Sequence, residues 1–415
     1  MPLQTGNAKN NKLTASAAGD TLLGLGGDDT LIGGASLDTL IGGLGNDVYV
    51  IQSQQDIVQE DAYGGTDLIR SGLVDIYMDT VAYYLNGTSF VENAQLTGLL
   101  NLNIWGHAGN NVLTGNDGNN SLFGGNGDDK LFGGLGNDLL YAGNGNDAVF
   151  GGAGDDTLNG YQGHVTLSGG AGNDNIYTME GAYLVHGDAG NDMIFGDYMK
   201  DTLFGDDGSD MISGGANHDR IDGGNGNDDL NGEYGNDLLI GGKGNDSLFG
   251  SFDRDTMQGG EGNDLLRGGS GLDVYEGGLG NDTLQSGGGG SVMKGGDGAD
   301  EFQAYLGADV MTGGKGADRF VFANNWFDTN EVLISGIKGD RITDFEHGRD
   351  KIDLRNLAET ETFIGARAFG NEGESEVRYD RSKGLLQGDV DGDGVADWTL
   401  TIANKAQITA SDLIL

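Results

Sequence analysis

Gly133-Gly134-Leu135-Gly136-Asn137-Asp138-Leu139-Leu140-Tyr141 is one row of a pattern that runs from Gly106 to Val321. Those 216 residues divide into 24 rows of nine with no insertion or deletion. Position eight is apolar in every row, from Leu113 and Leu122 to Met311 and Phe320, and position six is Asp in 19 rows. Six positions rich in Gly, Asn and Asp cannot sustain a helix or a long strand, because Gly and Asn tolerate positive φ and favour turns. The next three, with the apolar residue in the middle, make a minimal strand with one inward side chain. Turn, strand, turn, strand closes one coil every two rows. Stacked coils then form two parallel sheets with the position-eight residues between them. No row can bury its apolar residue alone, so each depends on its neighbours. The expected fold class is all-β, a right-handed parallel β-roll (a β-solenoid of nonapeptide repeats).

Composition sets the chemistry. The chain has 415 residues, 82 of them Gly, with a single Pro and no Cys. Without that strict period such a Gly content would read as low complexity. The lack of Cys removes disulfides and thiolate metal sites. The formal net charge is −43, from 65 acids against 22 bases. Nucleic acid and anionic membrane are therefore poor partners. Hard divalent cations bound through oxygen are good ones, calcium before magnesium or zinc. No apolar run approaches the ~20 residues of a spanning helix. The stretch Met1-Pro2-Leu3-Gln4-Thr5-Gly6-Asn7 has no apolar signal core, so no cleaved signal peptide is expected.

Four regions are expected. Residues 6–50 are a short array of five rows, with Asp29, Asp38 and Asp47 at position six. Residues 51–105 leave the frame, but short apolar stretches such as Val81-Ala82-Tyr83-Tyr84-Leu85 suit a wider-coil continuation. Residues 106–321 are the main array, opening with Asn111 and Asn120 at position six. Residues 322–415 lose the nonad.

This nonapeptide pattern resembles the calcium-binding repeats of RTX (hemolysin-type) proteins. The resemblance implies calcium held between loops one coil apart, by position-six carboxylates and backbone carbonyls. The ligands it implies are Asp29, Asp38, Asp47, Asp129, Asp138, Asp147, Asp156, Asp174, Asp192, Asp210, Asp219, Asp228, Asp237, Asp246, Asp264, Asp273, Asp282, Asp300 and Asp318. The run Asp340-Arg341-Ile342-Thr343-Asp344-Phe345, the run Gly348-Arg349-Asp350-Lys351-Ile352-Asp353-Leu354 and the ending Ala410-Ser411-Asp412-Leu413-Ile414-Leu415 resemble the C-terminal domain of serralysin-type secreted proteins. That likeness implies a β-sandwich-like continuation and an uncleaved signal for a type I secretion machinery.

Alternate rows differ. Rows ending in the Asp138, Asp156 and Asp174 series keep their Gly and Asp throughout, whereas the intervening rows are eroded, as in Gly160-Tyr161-Gln162-Gly163-His164-Val165. Tyr198, Tyr234 and Phe252 share position three of eroded rows, with Tyr161, Tyr183 and Tyr305 expected nearby. An aromatic row of this kind suits self-association or a surface glycan. Asp389-x-Asp391-x-Asp393-Gly394-x-x-Asp397 resembles the start of an EF-hand loop, but Leu400 stands where the bidentate Glu belongs. A differently completed calcium site or a plain acidic turn both fit.

An enzyme is not expected. The five His, at 107, 164, 186, 218 and 347, lie far apart without a His-Glu-x-x-His motif, and repeats begin at Gly6. The sequence thus predicts a secreted, calcium-binding, non-enzymatic protein. It would stay unfolded in a low-calcium cytoplasm and fold outside the cell, as a surface-layer, biofilm-matrix or adhesion component. A soluble secreted effector or host-interacting calcium binder is the alternative, with a polysaccharide-acting RTX enzyme behind it.

Overall fold

The computed structural model describes residues 2–16, 19–60, 63–78, 90–322, 337, 339–355, 362–370 and 373–415. The stretch expected as a strand at Val81–Leu85 lies outside them. The described secondary structure is β-strand apart from a 3-10 turn at Ala410–Asp412. The chain forms two compact units, Met1–Thr202 and Leu203–Leu415.

In the first unit, parallel strands two to nine residues long pair one coil apart. One ladder aligns Leu122, Leu140, Leu158, Ile176 and Ile194. Another aligns Leu113, Leu131, Val149, Leu167 and Val185. This second ladder reaches back through Ala94, Ile69, Tyr49 and Leu31 to Leu13. The short array therefore joins the main one through residues 51–105, where the stride widens to 20 and then 25 residues. A separate short ladder joins Leu22, Leu40 and Val58.

The second unit repeats the plan, with ladders Ile221–Leu239–Met257–Tyr275–Met293–Met311 and Ile212–Leu230–Leu248–Leu266–Leu284–Phe302–Phe320. The coil outlasts the nonad frame. Met311 pairs Ile342 and then Ile402, while Phe320 pairs Ile352 and then Leu413. An antiparallel sheet of Glu376–Asp380, Leu385–Asp389 and Trp398–Ile402 finishes the first of these ladders.

All 24 position-eight side chains are at most 1% exposed. Full burial of one such side chain contributes roughly 1.5–3 kcal/mol, and the strands are too short to stand without it. Outward-facing aromatics also register from coil to coil. Tyr77, Trp105, Phe123 and Tyr141 stack at 4.2, 5.4 and 5.2 Å, with ring planes within 7°. No helix among the described residues is long and apolar enough to cross a membrane.

Candidate metal centre

The turns carry the site. In an intact turn, glycine is required where coils touch. Gly152 has φ 116°, and a Cβ there would stand 2.2 Å from the Gly134 carbonyl oxygen. Position six then turns its carboxylate inward. Its Oδ1 accepts the position-six N–H of the preceding coil, as in Asp138 N to Asp156 (2.7 Å), Asp156 N to Asp174 (2.7 Å) and Asp174 N to Asp192 (2.8 Å). The opposite edge shows the same bond from Asn111 to Asp129 (2.7 Å) and from Asp129 to Asp147 (2.8 Å).

In the second unit the bond runs through Asp210, Asp228, Asp246, Asp264, Asp282, Asp300 and Asp318 on one edge. On the other it joins Asp219, Asp237, Asp255 and Asp273. Position five answers in reverse. Its side-chain oxygen accepts the N–H of the following coil, as in Asn146 N to Asp128 and Asn263 N to Asn245.

The second carboxylate oxygen decides what the turns can bind. Oδ2 is buried without a hydrogen-bond partner in Asp29, Asp47, Asp129, Asp138, Asp147, Asp156, Asp174, Asp228, Asp237, Asp246, Asp264, Asp273, Asp282 and Asp300. It points at the glycine in position one. A Cβ on Gly133 would meet Asp138 Oδ2 at 2.5 Å and the Gly151 carbonyl oxygen at 2.3 Å. Gly241 repeats this with Asp246 Oδ2 (2.4 Å) and the Gly259 carbonyl (2.6 Å). Each turn thus gathers a carboxylate and a carbonyl around a space that only a missing side chain leaves.

Burial raises the proton affinity of these groups. Asp129, Asp138, Asp156, Asp228 and Asp300 are pushed up to about 7, and Asp174, Asp237, Asp264, Asp282 and Asp318 to about 6. A buried carboxylate demands a proton or a cation. Oxygen-only donors fit a hard divalent ion.

The family comparison agrees. The chain matches the RTX calcium-binding nonapeptide repeat over residues 14–49, 105–284 and 286–320, more than half its length. It belongs to the RTX calcium-binding repeat family. The ion implied by these RTX turns is calcium, and the orphaned oxygens fit it. No curated protein matches the chain. Among solved structures, the chain is similar to a repeat subunit of the Azotobacter vinelandii mannuronan C5-epimerase. The identity is 22%, over 42% of this chain and 80% of that one, with a TM-score of 0.19.

Several expected residues sit differently. Asp38 has both oxygens engaged, with Asp20 N–H (2.7 Å) and Gly34 N–H (2.6 Å). Sequence reasoning missed Asp20, Asp201, Asp255 and Asp309, all buried at position six. It also missed Asp340 and Asp350, which accept from Asp309 N–H (2.8 Å) and Asp318 N–H (3.1 Å). The signal was present, since Asp340-Arg341-Ile342 and Asp350-Lys351-Ile352 repeat the Asp-x-apolar of a row.

Tyr183, expected near the aromatic row, is 4% exposed. Its ring fills the space beside Gly160, and its hydroxyl donates to the Met179 carbonyl (2.7 Å) and to that of Tyr161. Tyr234 and Phe252 are exposed and stack at 4.8 Å.

The Asp389–Asp397 segment is a β-hairpin turn, not a helix-flanked loop. Asp389, Asp391 and Asp397 each offer an oxygen within 4.8 Å of the others. Asp389 already accepts Gly392 and Gly394 N–H at 2.8 Å each, and Asp393 accepts Val395 N–H.

Proposed function

We propose that this chain is a secreted, non-enzymatic protein that folds when calcium fills its turns outside the cell, and that it serves as a structural or cell-surface component. The observation that carries this reading is the series of buried carboxylate oxygens left without a partner. Without cations they oppose the fold, and with calcium they support it, so binding and folding are one event. An unfolded, calcium-poor chain suits threading through a type I secretion machinery. The serralysin-like motifs around Asp340–Leu354 and the ending Leu413-Ile414-Leu415 support that route.

In the second unit, the proposed contact face is the surface of eroded turns on which Tyr234 and Phe252 are exposed. Tyr234 and Phe252 lie 3° from parallel and face each other, so they offer ring edges outward. Edges suit packing against a second copy better than stacking on a sugar. Circular dichroism with calcium and with excess chelator tests the main reading. Loss of most β signal in chelator is expected, and an unchanged spectrum would refute it. Serine at Tyr234 and Phe252, with assembly unaltered, would remove the contact face from the proposal.

A further inference from the structure

We propose that Asp47, Glu60 and Asp67 form a divalent-cation site of their own, of a different make from the nonapeptide turns, where the first array gives way to the wider coils. The three carboxylates each offer an oxygen within 4.8 Å of the others. Asp47 is 1% exposed, Asp67 0% and Glu60 8%. Asp47 Oδ1 already accepts Asp29 N–H (2.6 Å), and Asp67 Oδ1 accepts Asp47 N–H (2.7 Å). Oδ2 of both residues is buried with no hydrogen-bond partner.

Those oxygens have a direction. A Cβ placed on Gly42 would stand 2.1 Å from Asp47 Oδ2 and 2.2 Å from the Tyr49 hydroxyl. That hydroxyl accepts Gly42 N–H at 3.0 Å and donates to Glu60. Asp47 Oδ2 therefore points toward the Tyr49–Glu60 pair. Tyr49 is a fully buried position-eight residue, so its ring holds the phenol in place.

The site exists because an acid stands where the frame carries glycine. Glu60 follows Gly42 by 18 residues, in the position-one slot of Gly24, Gly33 and Gly42, and the stride from Asp47 to Asp67 is 20 residues. An ordinary turn brings one position-six carboxylate per coil. Here a third acid enters beside two, with the phenol as a further oxygen. Three carboxylates supply more charge than the family's turns do, and affinity for calcium-class ions rises with ligand charge. The site should fill before the nonapeptide turns and clasp the junction of the two arrays.

The test is calcium titration of the full chain against a chromophoric chelator, with folding followed in parallel by circular dichroism. The wild type is expected to show a tight class that fills first. Glu60→Gln preserves size and a hydrogen-bond acceptor for the phenol. It should lose one tightly bound ion, with that step weakened at least ~10-fold, while reaching the wild-type spectrum at saturating calcium. Tyr49→Phe keeps the ring and should weaken the same step by only about 3-fold. A Glu60→Gln isotherm that overlays the wild type would overturn the site, as would a wild type with no early class. A chain that binds the tight ion yet keeps its β content in chelator would refute calcium-gated folding and leave this site standing.

Discussion

Within the first unit, two neighbouring regions solve the same turn in opposite ways. The turns at Asp156 and Asp174 lead into three-residue strands, and like that at Asp138 they bury a carboxylate with an unpartnered oxygen. One edge away, position six is Val165 and then Tyr183. There the turns disappear into strand. Gly163–Ala171 and Gly181–Ala189 are nine residues each and pair from Gly163↔Gly181 to Ala171↔Ala189. Apolar packing and backbone hydrogen bonds replace the ion, and the Tyr183 ring occupies the space beside Gly160. The intact turns hold an element that needs a cation, whereas the eroded pair holds one that does not.

Chelation should separate them most. Hydrogen exchange with excess chelator should accelerate on the order of 100-fold or more at the Asp138, Asp156 and Asp174 turns, while Gly163–Ala171 and Gly181–Ala189 retain more protection. Equal loss in both regions would erase the distinction.

Substitution is the next test. Tyr183→Ala should cost about 3–5 kcal/mol whether or not calcium is present, because the lost ring leaves a cavity. Asp156→Asn should instead cost about 1–3 kcal/mol in calcium and nothing, or less, in chelator. Thermal melts of both variants at saturating and at limiting calcium check this crossing.

Acidity acts through the buried carboxylates. Asp138 and Asp156 take up a proton near pH 7 when folded, against an ordinary value of 3.8. The folded state therefore binds more protons, and this contribution is full below about pH 4 and lost as pH rises through about 7. In chelator, β signal should return as pH falls from 8 to 5. In calcium, protons compete with the ion and the trend should reverse. The smallest effect expected is that of Phe252→Ser, which removes an exposed ring stack worth about 0.5–1.5 kcal/mol with or without calcium.

The sequence made the core fully legible, because one apolar residue at a fixed phase has only one place to go. Leu140, Met257 and Phe320 all lie where the frame puts them. Position six was legible where glycines flank it. It was hidden where the flanks erode around Asp255, or where the stride changes before Asp340 and Asp350. Tyr183 misled, because an aromatic in a loop reads as surface, whereas this one fills a space that glycine leaves empty. The grouping of Glu60 with Asp47 and Asp67 was not readable, since only the folded coil brings them together. Position five was read as turn composition, yet its side chains tie each coil to the next.

Coil-to-coil registration rests on a few atoms per turn, an Oδ1 and an N–H, and takes no account of how much chain lies between them. Successive partners along one edge of the first unit are 20 and 25 residues apart, the second through a glutamate oxygen, and those at the end of the second unit are 31 and 32. Lengthening a turn from one 18-residue coil to 31 residues adds only roughly 0.5 kcal/mol of closure entropy. The turns are thus splice points. Beyond each longer stride the strands pair again in register.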